Sequence, residues 1–123
     1  MMMALKTLAA VLGAGLAGLG VAWLVVPGFA AAQLGMTLLD GAGLASQIGD
    51  GAGYFVTLGG CILLGLVRRD PVWFLPAISL LGVATLGRLS AWLFHDAALT
   101  GAMMAFELFL VGLLIVIAKR LRH

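Results

Sequence analysis

The sequence predicts an all-α integral membrane protein, a single four-helix transmembrane domain over residues 1–123. Three observations predict it: 63% of the 123 residues are hydrophobic, 10% are charged, and four apolar stretches are each long enough to cross a bilayer. Soluble domains carry about 25% charged residues, and a small domain has much surface to cover with them. The composition therefore excludes a soluble domain, a disordered chain and, with one cysteine, a disulfide scaffold.

Each predicted span is an apolar run near the roughly 20 residues that cross about 30 Å of hydrocarbon. The spans cover about residues 4–26, 49–67, 71–94 and 101–118. Lipid offers no hydrogen-bond partners to open backbone groups, so we expect all four spans to be α-helices. Pro27 with Gly28 ends the first helix, and Asp70 caps the third helix, with Pro71 at its first position.

Basic residues gather on one side of the predicted membrane, and this sets the orientation. Lys6, Arg68, Arg69 and the basic run over 119–122 lie on that side, whereas Asp40, Asp50 and Asp96 lie on the other. By the positive-inside rule the basic side is cytoplasmic, which places both termini inside a bacterial inner membrane. Trp23 and Trp92 are expected at the outer interface and Trp73 at the inner one. The terminal His123 is expected in solvent.

The first outer loop, residues 27–48, is the one long connection, and it is either a lid over the bundle or a partner-binding surface. Residues 29–34 are predicted to form a short interfacial helix ended by Gly35, and Ser46 to cap the second helix. Residues 29–33 also resemble a signal-peptide cleavage site. The preceding apolar run of about 19 residues is longer than a signal core, so we expect the first span to be retained.

Small residues at every fourth position predict the packing ridge of the second helix. They are Gly49, Gly53, Thr57, Cys61 and Gly65. The first helix offers two rows to face them, Ala10, Ala14, Gly18 and Ala22, or the adjacent Ala9, Gly13 and Ala17. We favour packing within the chain over a homodimer seam, and we expect Cys61 to be a small apolar filler.

Arg88 and Glu107 are the two charged residues that lie well inside apolar spans, away from the span ends. Such groups are costly in hydrocarbon, so they usually face the bundle interior and pair. The loop between their helices is centred near position 97.5, with Arg88 9.5 residues before it and Glu107 9.5 residues after it. At about 1.5 Å per residue the two lie at the same depth, which predicts an intramembrane ion pair about two turns below the outer surface.

Further polar residues are predicted to converge on this pair and to line a pocket open to the outside. Thr85, Trp92 and His95 share the Arg88 face of the third helix. Asp50, Tyr54 and Thr57 share a face of the second helix, and Asp50 is a second candidate partner for Arg88. Three roles stay open for the pair: fixing helix register, binding a ligand or ion, and transferring protons.

The sequence contains no pattern typical of a metal, haem or phosphate site. His95 and His123 lie at opposite membrane faces and so cannot share a metal or haem, and no GxSxG or Walker motif appears. Six of the seven Lys and Arg residues flank the spans, and they are not interleaved with aromatic residues, so no nucleic-acid partner is expected. We expect no cofactor, no catalytic residue and no enzymatic activity.

Several short motifs resemble those of a known family. They are Pro27 followed by Leu34-Gly35, Gly59-Gly60 in the second helix, Gly87-Arg88-Leu89 in the third and Glu107-Leu108 in the fourth. Together they are similar to the small bacterial membrane proteins grouped as "domain of unknown function 4345", and the resemblance covers most of the chain. It implies a four-helix membrane protein and supports the Arg88 and Glu107 positions, with no established activity.

Three functions follow as hypotheses. The first is a non-enzymatic accessory or structural membrane component, self-associating or part of a larger complex, with Arg88–Glu107 as an internal clamp. The second is a small-solute or proton-coupled transporter that uses the outer pocket. The third is a lipid- or quinone-binding subunit of a larger membrane complex. In each case membrane lipids are the expected surroundings.

Overall fold

The computed structural model describes residues 1–121, and this part of the chain is helical with no strand. The helices are α1 (Met2–Val25), α2 (Pro27–Gln33), α3 (Gly41–Arg68), α4 (Phe74–Phe94) and α5 (Gly101–Leu121), and a short 3-10 helix, Pro71–Trp73, leads into α4. The four longer helices, with α4 extended by the 3-10 helix, are long and apolar enough to cross a membrane. This confirms the all-helical class with four candidate spans. Arg122 of the predicted basic run and the predicted solvated His123 lie outside the described residues.

The connection from α1 to α3 is shorter than predicted, because α3 begins at Gly41 and includes residues 41–48, the last eight of the 22 residues in the expected loop 27–48. Ser46 is therefore inside the helix, and the N-cap is Asp40, whose side chain makes no capping bond. At about 1.5 Å per residue, the 28 residues of α3 extend about 42 Å, more than the roughly 30 Å of hydrocarbon. The first turns of α3 thus project beyond the predicted span.

The short helix α2 ends at Gln33 and is terminated by Gly35, as predicted. The Met36 N–H donates to the Ala31 oxygen at 2.9 Å and the Gly35 N–H to the Ala32 oxygen at 3.1 Å. Gly35 has φ of +68°, the left-handed conformation that this helix ending requires and that glycine adopts without strain. The chain is thereby turned back toward α3.

The turn between α3 and α4 also follows the prediction. Asp70 precedes Pro71, and its Oδ1 accepts a hydrogen bond from the Val72 N–H at 3.1 Å. Proline suits the first helical position because its missing N–H has no partner there. Residues 95–100 form the second short connection, outside any helix. These two turns make α3, α4 and α5 sequential antiparallel neighbours.

The long helices close into a ring, in which α1 packs on α3 and α5, and α4 packs on α3 and α5. The closest approach joins α1 to α3 through small residues. A side chain at Gly59 would collide with the backbone of Gly13 and Ala17, and one at Gly20 would collide with the Val56 nitrogen. Close backbone approach of this kind is how helices gain packing energy in lipid, where apolar burial drives little association.

The packing ridge of α3 differs from the predicted one. Gly49 and Gly53 have open space where a side chain would lie, and Thr57 is exposed. The buried face instead centres on Leu58, which is one position and therefore about 100° of helix rotation away from Thr57. Gly65 does pack closely, against the Phe74 ring, and Cys61 is a half-buried neighbour of the core, as expected of a filler.

Packing within the chain is confirmed for the second predicted row of α1. Ala9 and Gly13 are buried and Ala17 lies against Gly59, whereas Gly18 of the first row faces open space.

The buried core divides into two clusters at opposite ends of the bundle. We call the end that carries Lys6, Arg68 and Lys119 the basic end, and the opposite end, with Asp40, Asp50 and Asp96, the acidic end. The larger cluster fills the basic half with side chains from all four long helices, among them Ala9, Leu58, Ile62, Phe74, Leu110 and Leu114. The smaller one lies near the acidic end and joins Trp23 to Ala30, Ala31 and Ala52.

Trp23 belongs to this smaller cluster and is 1% exposed, so it does not face the membrane interface as predicted. The reason is α2, which folds back against α1 and covers the indole with Ala30 and Ala31. Trp92 is 44% exposed and Trp73 is half-buried.

Candidate functional site

Arg88 of α4 and Glu107 of α5 form an ion pair inside the bundle. Arg88 Nε donates to Glu107 Oε1 at 3.1 Å. The Glu107 side chain is 6% exposed and that of Arg88 is 32% exposed. The two residues face one another because both helices start from the same short connection and run antiparallel at about the same rise per residue. A hairpin of nearly equal arms thus brings the two charges to one level.

A third side chain, Thr85, completes the environment of the carboxylate. Its Oγ1 donates to the same Glu107 Oε1 at 3.1 Å. Thr85 lies three residues before Arg88, which places both side chains on one face of α4. A buried carboxylate is stable only when donors replace its lost water. Glu107 therefore has two donors, one charged and one neutral, both supplied by α4.

Two adjoining cavities open beside this group toward the acidic end. The larger, the acidic-end cavity, has a volume of about 760 Å³ and is lined by Asp50, Tyr54 and Arg88 among others. The smaller, the mid-bundle cavity, has about 360 Å³ and is lined by Arg88, Glu107 and apolar side chains such as Leu58 and Leu81. Five residues line both: Leu34, Tyr54, Phe55, Arg88 and Met103. Arg88 thus lies where the two cavities meet.

The structure brings only part of the predicted pocket together. Asp50 and Tyr54 line the acidic-end cavity with Arg88, and Thr85 reaches Glu107. Thr57, Trp92 and His95 are exposed and line neither cavity. Thr57 points away because the buried face of α3 lies about 100° from it.

Trp92 lies on the Arg88 face near the end of α4, and His95 is the C-cap of that helix. Both lie beyond Ala91, the last half-buried residue of α4.

Gln47 is a buried residue that the sequence did not single out. Its Oε1 accepts from the Leu39 N–H at 2.9 Å, and its Nε2 donates to the Thr37 oxygen at 3.1 Å. One amide thereby ties the 34–40 connection to the first turns of α3. The sequence feature that could have predicted this role is a polar side chain within a stretch of apolar and small residues. A buried amide needs hydrogen-bond partners, so such a residue is a candidate for tying two segments together.

Trp23 forms one wall of the acidic-end cavity, and its role was also not predicted. A Cβ at Gly51 would lie 2.7 Å from its indole Nε1, so this large ring is seated directly on a glycine of α3. The Nε1 nitrogen is buried without a hydrogen-bond partner in the described structure. The rotation of a glycine-rich helix determines which of its glycines faces a given aromatic ring. A single sequence does not specify that rotation.

Within residues 1–121, no three His, Cys, Asp or Glu side chains are grouped so that they can hold a metal ion. The candidate site consists of an ion pair, a threonine hydroxyl and a tyrosine beside a partly apolar cavity. No family model, curated protein or solved structure matches the chain. The resemblance to the "domain of unknown function 4345" proteins stays a prediction.

Proposed function

We propose that the chain is a non-enzymatic, four-helix accessory protein of the bacterial inner membrane, in which the Arg88–Glu107 pair clamps α4 to α5. In this proposal both termini are cytoplasmic, as the positive-inside rule predicts. The observation that carries it is the 3.1 Å bond from Arg88 Nε to Glu107 Oε1, reinforced by Thr85 on the same oxygen. The exposed apolar faces are covered by lipid, by a second copy or by another membrane chain.

The distribution of apolar packing along α4 and α5 supports a clamp. The buried residues of α4 are Phe74, Ala77 and Leu81, all in its basic half. In α5 the buried apolar residues run from Leu110 to Ile117, again in the basic half. Toward the acidic end the cavities replace close packing, and there the bonds of Arg88 and Thr85 to Glu107 link the two helices. Holding that open half together is a task that the pair is placed to perform.

The same packing argues against the transport alternative. A solute path would have to continue from Glu107 toward the basic end, between Leu81, Leu110 and Leu114. These side chains are at most 1% exposed and belong to the close-packed larger cluster. A hydrated path through them would need a rearrangement of the core, and close-packed interiors resist such changes.

Replacing the pair tests the clamp. Arg88→Leu leaves Glu107 buried without its cation, and removal of one partner of a buried pair costs up to about 3–5 kcal/mol. Glu107→Leu leaves Arg88, which is 32% exposed and can regain water, so it should cost less. The Arg88→Leu/Glu107→Leu double variant should recover most of the loss, since apolar pairs of similar volume often replace buried ion pairs well. Thermal unfolding in detergent measures all three.

Arg68→Leu serves as the matched control, because it removes an exposed arginine at the end of α3. We expect a change within about 0.5 kcal/mol, as for most surface substitutions. The clamp proposal is lost if Arg88→Leu unfolds at the same temperature as the Arg68→Leu control. It is also lost if the double variant is less stable than both single variants.

A further inference from the structure

We infer that the two joined cavities bind one phospholipid with a phosphate and a primary ammonium in its headgroup, of the phosphatidylethanolamine class. The headgroup occupies the acidic-end cavity between Arg88 and Asp50, and one acyl chain enters the mid-bundle cavity. This inference goes beyond the clamp, because it assigns a ligand to the space beside the pair.

The first step is the unused hydrogen-bonding capacity of Arg88. A guanidinium carries five N–H donors, and its bond to Glu107 uses Nε. The remaining donors belong to the two Nη nitrogens of a side chain that is 32% exposed and lines both cavities. Guanidinium groups bind phosphate oxygens through paired donors with high geometric specificity. The deepest charged group of the acidic-end cavity is therefore suited to a phosphodiester.

The second step is the opposite charge nearer the membrane surface. Asp50 lines the acidic-end cavity alone, whereas Arg88 also lines the deeper mid-bundle cavity, so Asp50 lies farther toward the acidic end. Asp50 makes no salt bridge within residues 1–121. A carboxylate accepts hydrogen bonds from a primary ammonium, which a fully methylated ammonium cannot donate. In a phosphatidylethanolamine headgroup the phosphate lies deeper in the membrane and the ammonium lies nearer the surface, which is the same order as Arg88 and Asp50.

The third step is the change from polar to apolar lining with depth. Below Arg88 the mid-bundle cavity is walled by Leu16, Leu58, Leu81 and Phe106. Its volume of about 360 Å³ and the 760 Å³ of the acidic-end cavity fall within the range of roughly 300–1,000 Å³ typical of ligand sites. An amphiphile fits this gradient only with its chain toward the bundle centre. That is also how lipids of the adjacent leaflet are oriented.

The binding test uses the purified full chain in a neutral detergent, with thermal stabilisation as the readout of lipid binding. The added lipids are phosphatidylethanolamine, phosphatidylglycerol and phosphatidylcholine of one chain composition. Soluble phosphoethanolamine, which has the headgroup without chains, is the fourth arm. We expect phosphatidylethanolamine to bind most tightly and phosphoethanolamine to give no shift. The inference would be overturned if phosphatidylglycerol or phosphatidylcholine gave a shift equal to that of phosphatidylethanolamine. It would also be overturned if soluble phosphoethanolamine gave a shift.

Two pairs of variants locate the site without touching the clamp. Asp50→Asn should reduce the preference for phosphatidylethanolamine over phosphatidylglycerol about threefold, the effect of an exposed ion pair. Asp96→Asn makes the same charge change at the same end but lines neither cavity, and should leave the preference unchanged. Asp96 has φ of +57°, which asparagine adopts readily, so this control keeps its loop.

The second pair fills the space meant for the acyl chain. Ala102 lines the mid-bundle cavity, whereas Ala105, also exposed on α5, does not. Ala102→Phe should abolish the stabilisation by phosphatidylethanolamine, and Ala105→Phe should retain it. Retention by both variants would show that the lipid binds elsewhere on the apolar surface. Because Arg88 and Glu107 are intact in all four variants, failure here would leave the clamp untouched.

Discussion

The close approach of α1 and α3 at Gly59 makes a prediction whose size can be worked from the structure. A Cβ added there would lie 2.8 Å from the Ala17 Cβ and closer still to the Ala17 nitrogen and the Gly13 oxygen. Ordinary carbon contacts are about 3.5–4.0 Å, so α1 would have to move outward by roughly 1 Å. The obstructing atoms are mainly backbone and cannot rotate away. Overpacking of this kind costs about 1–3 kcal/mol.

The neighbouring Gly60 is the matched control, since a Cβ there has nothing within 4 Å. Both substitutions gain about the same helix propensity, up to about 1 kcal/mol for Gly→Ala, so the propensity gain cancels in the comparison. Gly59→Ala should therefore be about 1–3 kcal/mol less stable than Gly60→Ala when the chain is unfolded by detergent titration. If the two variants unfold at the same detergent concentration, the close contact of α1 with α3 at Gly59 is contradicted.

Two further predictions concern the acidic end and the orientation. Gln47→Met removes both bonds that hold the 34–40 connection, and should cost about 1–2 kcal/mol. The same substitution should speed hydrogen exchange of the Leu39 amide, whereas the control Ser46→Ala should not. Unchanged exchange at Leu39 in Gln47→Met would contradict the bond between Gln47 and this connection. A reporter enzyme fused after the last residue should be active only in the cytoplasm, because Lys6, Arg68 and Lys119 share one end. Periplasmic activity would reverse the predicted topology.

The ion pair could be predicted by counting residues from the centre of the α4–α5 connection. Residues 95–100 are a short, symmetric connection, and helices rise by a constant step, so equal sequence distances from its centre mean equal depth. Arg88 and Glu107 are at hydrogen-bonding distance for that reason. Helical spacing also places Thr85 on the Arg88 face of α4, but it does not predict the bond from Thr85 to Glu107.

The rotation of α3 was not predictable in the same way. The chain contains 18 glycines, and α3 carries small residues on several faces, so a spacing of four fits more than one ridge. Gly59 rather than Gly53 meets α1, because the choice is made by the partner helix and by Trp23 seated on Gly51. The start of α3 was missed for a related reason. Glycine and serine at 41–49 are weak helix formers, and tertiary contacts such as those of Gln47 override that preference.

The lining of the cavities reflects packing that a single helix does not encode. Trp92 and His95 follow Arg88 at helical spacing, yet the half-buried residues of α4 stop at Ala91. Whether a helical face is covered depends on where the neighbouring helices stay close, and in this bundle close packing is concentrated in the basic half. Helical spacing therefore predicts the correct face of α4, but it overestimates how far the site extends along that helix.

The interaction between Arg88 and Glu107 can be measured directly by a double-mutant cycle. Arg88→Ala, Glu107→Ala and the double variant are unfolded in the same detergent, and the coupling free energy is the deviation of the double variant from additivity. A 3.1 Å bond to a carboxylate that is 6% exposed predicts coupling of about 1–3 kcal/mol, in the direction that favours the intact pair. Additive losses, with coupling near zero, would contradict the clamp between α4 and α5.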